Sequence, residues 1–337
     1  MFRNRGSIVS AQFLILSLLL LPRPEVLAQN LEKVRACYNA LEGVSSALWV
    51  SRDAGFMAKN GLDLEFIYIE SGSRSAQAMV AGDIQIGQIG SGASIQARAN
   101  GANTIIVLSV MPTVPFQLVT RADIKKPEDL RGTKFGISTF GSTAYFATRY
   151  LLEKLGLKMG KDVVVLQVGG QSSRLVALKQ GAIDATLFGA PSLLVAKRLG
   201  LNVLLDLVDI GFQYDYGSIA TTRSFVQSRG DVVRRFVRAY VEGVRFLKTH
   251  REESKKILAR YLREKNPAVL EETYTYYADK TATAPYPTRR GIQAVIEQVV
   301  GSPKEGEKPR LTFEDVADQS FVRELEQSGF IQGLYGK

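Results

Sequence analysis

The sequence predicts an α/β protein of two lobes, each a mainly parallel sheet flanked by helices. Three observations point there: a half-motif recurring at a fixed offset, short β-branched runs alternating with glycine-ended helical stretches, and strand-like connections between the halves. The half-motif SGSRSAQAMVAGDIQIGQIGSGASIQARANGANTIIVL begins at Ser71, and its counterpart GQSSRLVALKQGAIDATLFGAPSLLVAKRLGLNVLLDL begins at Gly170. An ungapped shift of 99 superposes Ser73 on Ser172, Gly82 on Gly181, Ile84 on Ile183, Gly90 on Gly189, Gly101 on Gly200 and Asn103 on Asn202.

Each copy reads as strand and helix in alternation. Strands are expected near 33–39, 63–69, 84–89 and 104–110, then near 133–138, 162–168, 182–188 and 202–207. These are apolar or β-branched runs, as buried parallel strands require. Helices between them end at Gly61, Gly82 and Gly101, then at Gly156, Gly181 and Gly200, where glycine supplies a left-handed cap. The stretches 116–121 (around FQLVT) and 214–222 (around YGSIATT) read as two hinge crossovers. They divide the mature chain into a first lobe of 29–118 plus 219–337 and a second of 119–218. After Thr222 the chain turns helical and charged. Phe236, Tyr240, Val244 and Leu247 recur at helical spacing, and this tail is expected to pack back on the first lobe.

The first 28 residues stand apart from the fold. Arg3 and Arg5 make a basic start, 13–21 (FLILSLLLL) is an apolar run too short to span a membrane, and Val26, Leu27 and Ala28 supply a cleavage site. The expectation is export to the periplasm with cleavage after Ala28, leaving a mature chain that begins at Gln29. No cysteine sits at that point to carry a lipid.

Charge and composition exclude several classes. The formal net charge is +10, but the basic residues are interspersed with acids, as in REESKK, and form no basic stripe with interleaved aromatics. Nucleic acid is therefore not an expected partner. Cys37 is the only cysteine, so no intrachain disulfide forms, and its apolar surroundings mark it as a core residue. His250 is the only histidine and lies in a charged helical run. One His and one Cys rule out most Ser/His/Asp and Cys/His machinery, and no pair or cluster has metal-ligand spacing, so no catalytic residue, metal or cofactor is expected. The stretch GQIGSG at 87–92 fails the spacing of a dinucleotide fingerprint.

What remains suits ligand capture. Turns at the carboxyl ends of strands face the cleft of an open α/β sheet. Here they are 39–47, 89–93, 138–143 and 188–192, which nominate Gly90, Ser91 and Gly189 as cleft residues. Two of the turns open helices with hydroxyls, Ser45 and Ser46 in the first lobe and Ser142 and Thr143 in the second. Such termini either bind an anion through free N–H groups or are simply capped. Phe140 and Tyr214 are the aromatics expected in the cleft. Arg74 and Arg174 precede helices at its edge, to pair with an anion or to lie solvated on the surface.

Four stretches resemble a known family: WVSRDAGFMAKNGLDLEF (49–66), MVAGDIQIGQIGSG (79–92), KKPEDLRGTKFGISTFGSTAYFATRYLLEKLGL (125–157) and LKQGAIDATLFGAPS (178–192). They are similar to the periplasmic substrate-binding proteins of the nitrate/sulfonate/taurine type, including the branch of thiamine-pyrimidine-precursor binders. The resemblance implies the type II periplasmic-binding-protein fold, two lobes that close on ligand, and delivery to an ABC transporter permease. The two crossovers add the expectation of a hinge-bending monomer, and the paired helix starts that of a small anionic or acceptor-rich molecule. The resemblance also leaves open an enzyme of the pyrimidine-precursor type, or a periplasmic sensor without transport. The enzyme branch depends on a histidine and a cysteine-rich segment; this sequence has a single cysteine, and its one histidine, His250, lies in the charged helical run FLKTHREESKK.

Overall fold

Two five-stranded sheets are built in succession along the chain, and each is completed by a strand that arrives from the other half. The computed structural model describes residues 31–336 apart from 305, so the expected cleavage after Ala28 lies outside the described residues.

The first half runs β1 (Glu32–Tyr38), a 3₁₀ turn (Gly43–Ser45), α1 (Ser46–Asp53), α2 (Phe56–Lys59), β2 (Leu62–Tyr68), α3 (Gly72–Ala81), β3 (Ile86–Gln88), α4 (Ser91–Ala99) and β4 (Thr104–Leu108). After β5 (Met111–Thr113) the chain enters the second half. There it forms β6 (Gln117–Thr120), β7 (Lys134–Ile137), α5 (Thr143–Lys154), β8 (Val164–Gln167), α6 (Gln171–Lys179), β9 (Ala185–Phe188), α7 (Ser192–Arg198) and β10 (Asn202–Asp206). It returns through β11 (Gln213–Tyr216) to β12 (Ile219–Thr222). The strand orders are β2-β1-β3-β12-β4 and β10-β6-β9-β7-β8, with β12 and β6 antiparallel to their neighbours.

The repeat seen in the sequence is a repeat of register. The parallel pair Ala36↔Ile86 joins β1 to β3, and adding 99 to both numbers gives Phe135↔Ala185, which joins β7 to β9. The helix ends repeat as well. Gly82 and Gly181 both take a positive φ, 85° and 73°, which a side chain would oppose. The amides of Asp83 and Ala182 then reach back to the carbonyls of Ala78 and Ala177 at 2.9 Å, closing the same C-terminal cap twice.

The crossovers lie only partly within the expected stretches: 214–218 of the second falls in the passage between sheets, while the rest of it is strand. Residues 117–120 are β6 inside the second sheet, and 219–222 are β12 inside the first. The chain passes between sheets in the segments just before β6 and before β12, where β5 and β11 pair as a two-stranded antiparallel ribbon. Both completing strands are apolar enough to serve as buried sheet members, which is why they could not be told from connectors by pattern alone.

The C-terminal part is helical: α8 (Arg223–Thr249), α9 (Arg251–Leu262), α10 (Pro267–Lys280), α11 (Arg289–Val300), α12 (Phe313–Val316), α13 (Ser320–Gln327) and α14 (Phe330–Leu334). The stripe Val233, Phe236, Val237, Tyr240, Val244 and Leu247 of α8 is buried, and α8 packs on α1 and β4 of the first lobe. Contact there is close enough that a Cβ added at Gly243 meets Ser51 Oγ at 2.0 Å. Trp49 of α1 stacks on Tyr261 of α9 with centroids 4.7 Å apart. Cys37 is a core residue of β1, and burial pushes its thiol up to about 12. His250 is exposed at the end of α8 and stacks on Phe246.

Candidate functional site

The carboxyl ends of the parallel strands in the two sheets face each other, and between them lies a cavity of about 250 Å³. Its walls come from both halves: the turn after β1, the start of α3, the start of α5 and the start of α6. Tyr216 and Gly217, at the end of the ribbon strand β11, also line it.

Hydrogen bonds cross directly from one half to the other around this space. Thr139 Oγ1 bonds to Ser73 Oγ at 2.7 Å and also to Ser71 Oγ. The Gly170 amide donates to Glu70 Oε1 at 2.8 Å. Gly43 N donates to Ala190 O at 3.4 Å. On the ribbon, Tyr214 OH accepts from the Gly92 amide at 2.9 Å and meets Thr143 Oγ1 at 3.1 Å, joining the starts of α4 and α5.

Three charged side chains line the cavity: Glu42 and Glu70 from the first half and Arg174 from the second. Arg174, only 2% exposed, is held in the first turn of α6. Its Nε donates to Gly169 O at 3.1 Å, and its Nη1 donates to Thr186 Oγ1 and Leu187 O at 2.8 Å each. The guanidinium lies 5.6 Å from the centre of the Phe188 ring. Nη2 has no hydrogen-bond partner among the described residues. Burial lowers the Arg174 pKa to about 10, with Glu42 the first of the neighbours opposing that fall, so it remains a cation at neutral pH.

Glu42 precedes the 3₁₀ turn ahead of α1, and its Oε2 accepts from Tyr216 OH at 2.5 Å. Burial raises the Glu42 pKa, and that hydrogen bond opposes the rise. The same burial, with the carboxylate alongside, pushes the Tyr216 phenol well up. Gln171 is buried beside them. Its Oε1 accepts from the Gly189 amide at 3.0 Å, while its Nε2 has no partner.

The residues nominated from sequence take three kinds of place. Gly90, Ser142 and Thr143 line the cavity. Ser142 also caps α5, accepting from the Tyr145 amide at 3.3 Å. Ser45, Ser46, Ser91, Gly189 and Tyr214 are buried one layer behind the wall. Ser45 Oγ donates to Ala40 O, Ser91 Oγ donates to Asp215 O, and Ser46 Oγ has no partner. The intervening 3₁₀ turn puts Glu42 and Val44, rather than the serines, at the wall. Phe140 is 51% exposed and packs on Tyr145, facing a groove on the outside. Arg74 is solvated, as one of its two readings had it, while Arg174 is buried. Sequence reasoning did not single out Glu42, Glu70, Gln171 or Tyr216 for the wall. The signal for Glu42 was an acid inside the otherwise uncharged stretch YNALEGVSSALWV, in a turn already expected to face the cleft.

Among the described residues no helix is long and apolar enough to cross a membrane.

Comparison with known proteins agrees with this architecture. The family model described as NMT1/THI5 like matches residues 42–254. The taurine-binding periplasmic protein of Escherichia coli K12 is 26% identical over 195 residues, covering 56% of this chain and 59% of that protein. The chain therefore spans somewhat under two thirds of that relative's length. The alkanesulfonate-binding protein of Xanthomonas axonopodis pv. citri, solved bound to MOPS, superposes with a TM-score of 0.71 at 20% identity, covering 85% of this chain and 98% of that one. The periplasmic nitrate-binding protein of Synechocystis PCC 6803 gives a TM-score of 0.73 at 16% identity, covering 88% and 89%. These two structures share the fold.

Proposed function

The chain belongs to the NMT1/THI5-like family, and on that premise we propose that it is an extracytoplasmic solute-binding protein for an ABC importer. It captures a small, acceptor-rich organic molecule in the cavity between the lobes and hands it to a membrane permease. The observation that carries this reading is the cavity itself. It is lined from both halves at the carboxyl ends of the strands, closed by hydrogen bonds from half to half, and bordered by a buried amide, Gln171 Nε2, without a close partner. The reading takes 29–118 plus 219–337 as one lobe and 119–218 as the other, with the first boundary moved back ahead of β6 so that the strand stays whole, the β5/β11 ribbon as the hinge and a monomer as the working unit. It also takes residues 1–28 as an export signal. A binding rather than catalytic role is supported by the relatives, which are named as binding proteins.

The test is native mass spectrometry and solution scattering on the mature protein purified without denaturation. A discrete low-mass adduct that is lost on unfolding, and a radius of gyration that falls when the solute is restored, are the expected results. No adduct, together with no thermal shift from a panel of sulfonates, carboxylates and nitrate, refutes solute capture.

A further inference from the structure

The charges in the cavity wall do not suit a simple anion. Of the three charged side chains that line it, two are carboxylates and one is a guanidinium. With both acids ionised the wall is net negative. With Glu42 protonated it carries one charge of each sign. In neither state does it favour a lone oxyanion.

Arg174 and Glu70 each keep a free position. Arg174 uses Nε and Nη1 on protein oxygens and leaves Nη2 without a partner, while no direct ion pair joins it to either acid among the described residues. A guanidinium this deeply buried is costly unless something neutralises it. Glu70 binds the Gly170 amide through Oε1 and keeps its second oxygen free to accept, while Glu42 binds Tyr216 through Oε2 and faces the Gln171 side chain. Gln171, 4% exposed and in the same wall, holds an Nε2 without a close hydrogen-bond partner that faces the Glu42 carboxyl.

Resting on the solute-capture reading above, we propose that the solute is a zwitterion, with an ammonium-like group received by Glu70, with Glu42 beside it, and an oxyanion received by Arg174. The cavity of about 250 Å³ fits a small aminosulfonate or amino acid and restricts the spacing of the two ends. Closure then has an electrostatic logic. The acids lie on one lobe and the guanidinium on the other, so only the closed form engages both ends of the molecule.

Calorimetry with two matched pairs tests this on the full mature chain: taurine against ethanesulfonate, and β-alanine against propionate. Each pair differs by the amine alone. The aminated member is expected to bind about thirtyfold or more tightly, the loss typical when one partner of a buried charge pair is removed. Glu70→Gln keeps an acceptor for the Gly170 amide and removes the charge, so it should bring each pair to within about threefold while leaving the unliganded melting temperature unchanged. Glu42→Gln provides a second reading of the same ratio. Equal or tighter binding by an amine-free member overturns the zwitterion and leaves solute capture standing, as does a ratio that survives in both variants. Where neither pair binds, the adduct released in native mass spectrometry decides: a molecule with a basic nitrogen and an acid supports the assignment, and one without the nitrogen overturns it. Absence of any adduct or binding removes both the assignment and the capture reading.

Discussion

Replacing Thr139 by valine removes a hydroxyl from the rim of the cavity while keeping the shape of the side chain. In the structure that hydroxyl joins Ser71 and Ser73 across the two halves. All three groups rehydrate when the lobes part, so the loss falls on the closed form alone. Each half-exposed hydroxyl bond contributes about 0.5–1.5 kcal/mol. Ser71 and Ser73 still hold each other at 3.1 Å after the change, which limits the penalty to about 1–2 kcal/mol. Affinity scales with the population of the competent closed state, so Kd should rise about 5- to 30-fold. Most of that change should appear as faster release. Titration calorimetry and stopped-flow dissociation read both quantities, and the melting temperature of the unliganded protein should hold. If affinity stays within twofold of the parent, or the unliganded protein melts several degrees lower while binding holds, these hydroxyls are not a closure latch.

Three further outcomes follow from other parts of the molecule. Gly243→Ala gains about 1 kcal/mol in helix propensity but drives a methyl against Ser51, including its backbone Cα at 2.8 Å. Overpacking of about 1–3 kcal/mol should win, lowering the urea midpoint, and an unchanged midpoint would show that α1 and α8 separate freely. Asp215 on β11 accepts from Ser109 Oγ, from Thr288 N and from Thr288 Oγ1, and burial still pushes its pKa up from 3.8 to about 6. The folded state then holds this proton more tightly than the unfolded chain, so its share of stability is complete below pH 4 and is lost as pH rises through 6. Asp215→Asn should flatten that decline in chemical denaturation between pH 4 and 7, and a decline of the same slope in the variant removes Asp215 as its source. N-terminal sequencing of exported protein should begin at Gln29, and material retaining the first 28 residues or staying in the cytoplasm would count against the export signal.

Much of the fold was legible because scaffold positions must satisfy backbone geometry twice. Gly82 and Gly181 both take a positive φ, and the caps they close bring β3 and β9 to the same register against β1 and β7. The strand expected at 33–39 is found at Glu32–Tyr38, and the one expected at 202–207 is found at Asn202–Asp206. The third strands are shorter than their apolar runs, since the residues just after each capping glycine close the turn. The crossovers were legible only in part: 214–218 falls in the observed passage, but the sheet membership of β6 and β12 could not be read. Nothing local to FQLVT or IATT says which sheet will take the strand, because the partners of β6 and β12 lie in segments far along the chain.

The site was less legible for a related reason. A solute is not symmetric, so the residues that meet it need not be alike in the two copies, and the shared positions that reveal the fold carry little information about it. Under the shift of 99, Ser75 in α3 corresponds to Arg174 in α6, and the two do different work. Ser75 Oγ donates to the carbonyls of Ile69 and Ser71 within its own turn, whereas Arg174 spans from Gly169 to β9 and borders the cavity. Glu70 corresponds to Gly169 in the same way. The next residue, Gly170, leaves room for the Glu70 side chain: a Cβ there would lie 2.7 Å from Glu70 Oε1. Local sequence around Arg174, a polar helix start of Gln-Ser-Ser-Arg, reads as solvent-facing, and only Thr186, Leu187 and Phe188 of a distant strand bury it. The signal lay in the differences between the copies. Where the repeat keeps its glycines but sets Arg174 against Ser75 and Glu70 against Gly169, the exchanged positions supply two of the three charges that line the cavity, whereas the exchange of Arg74 for Ser173 leaves its arginine solvated.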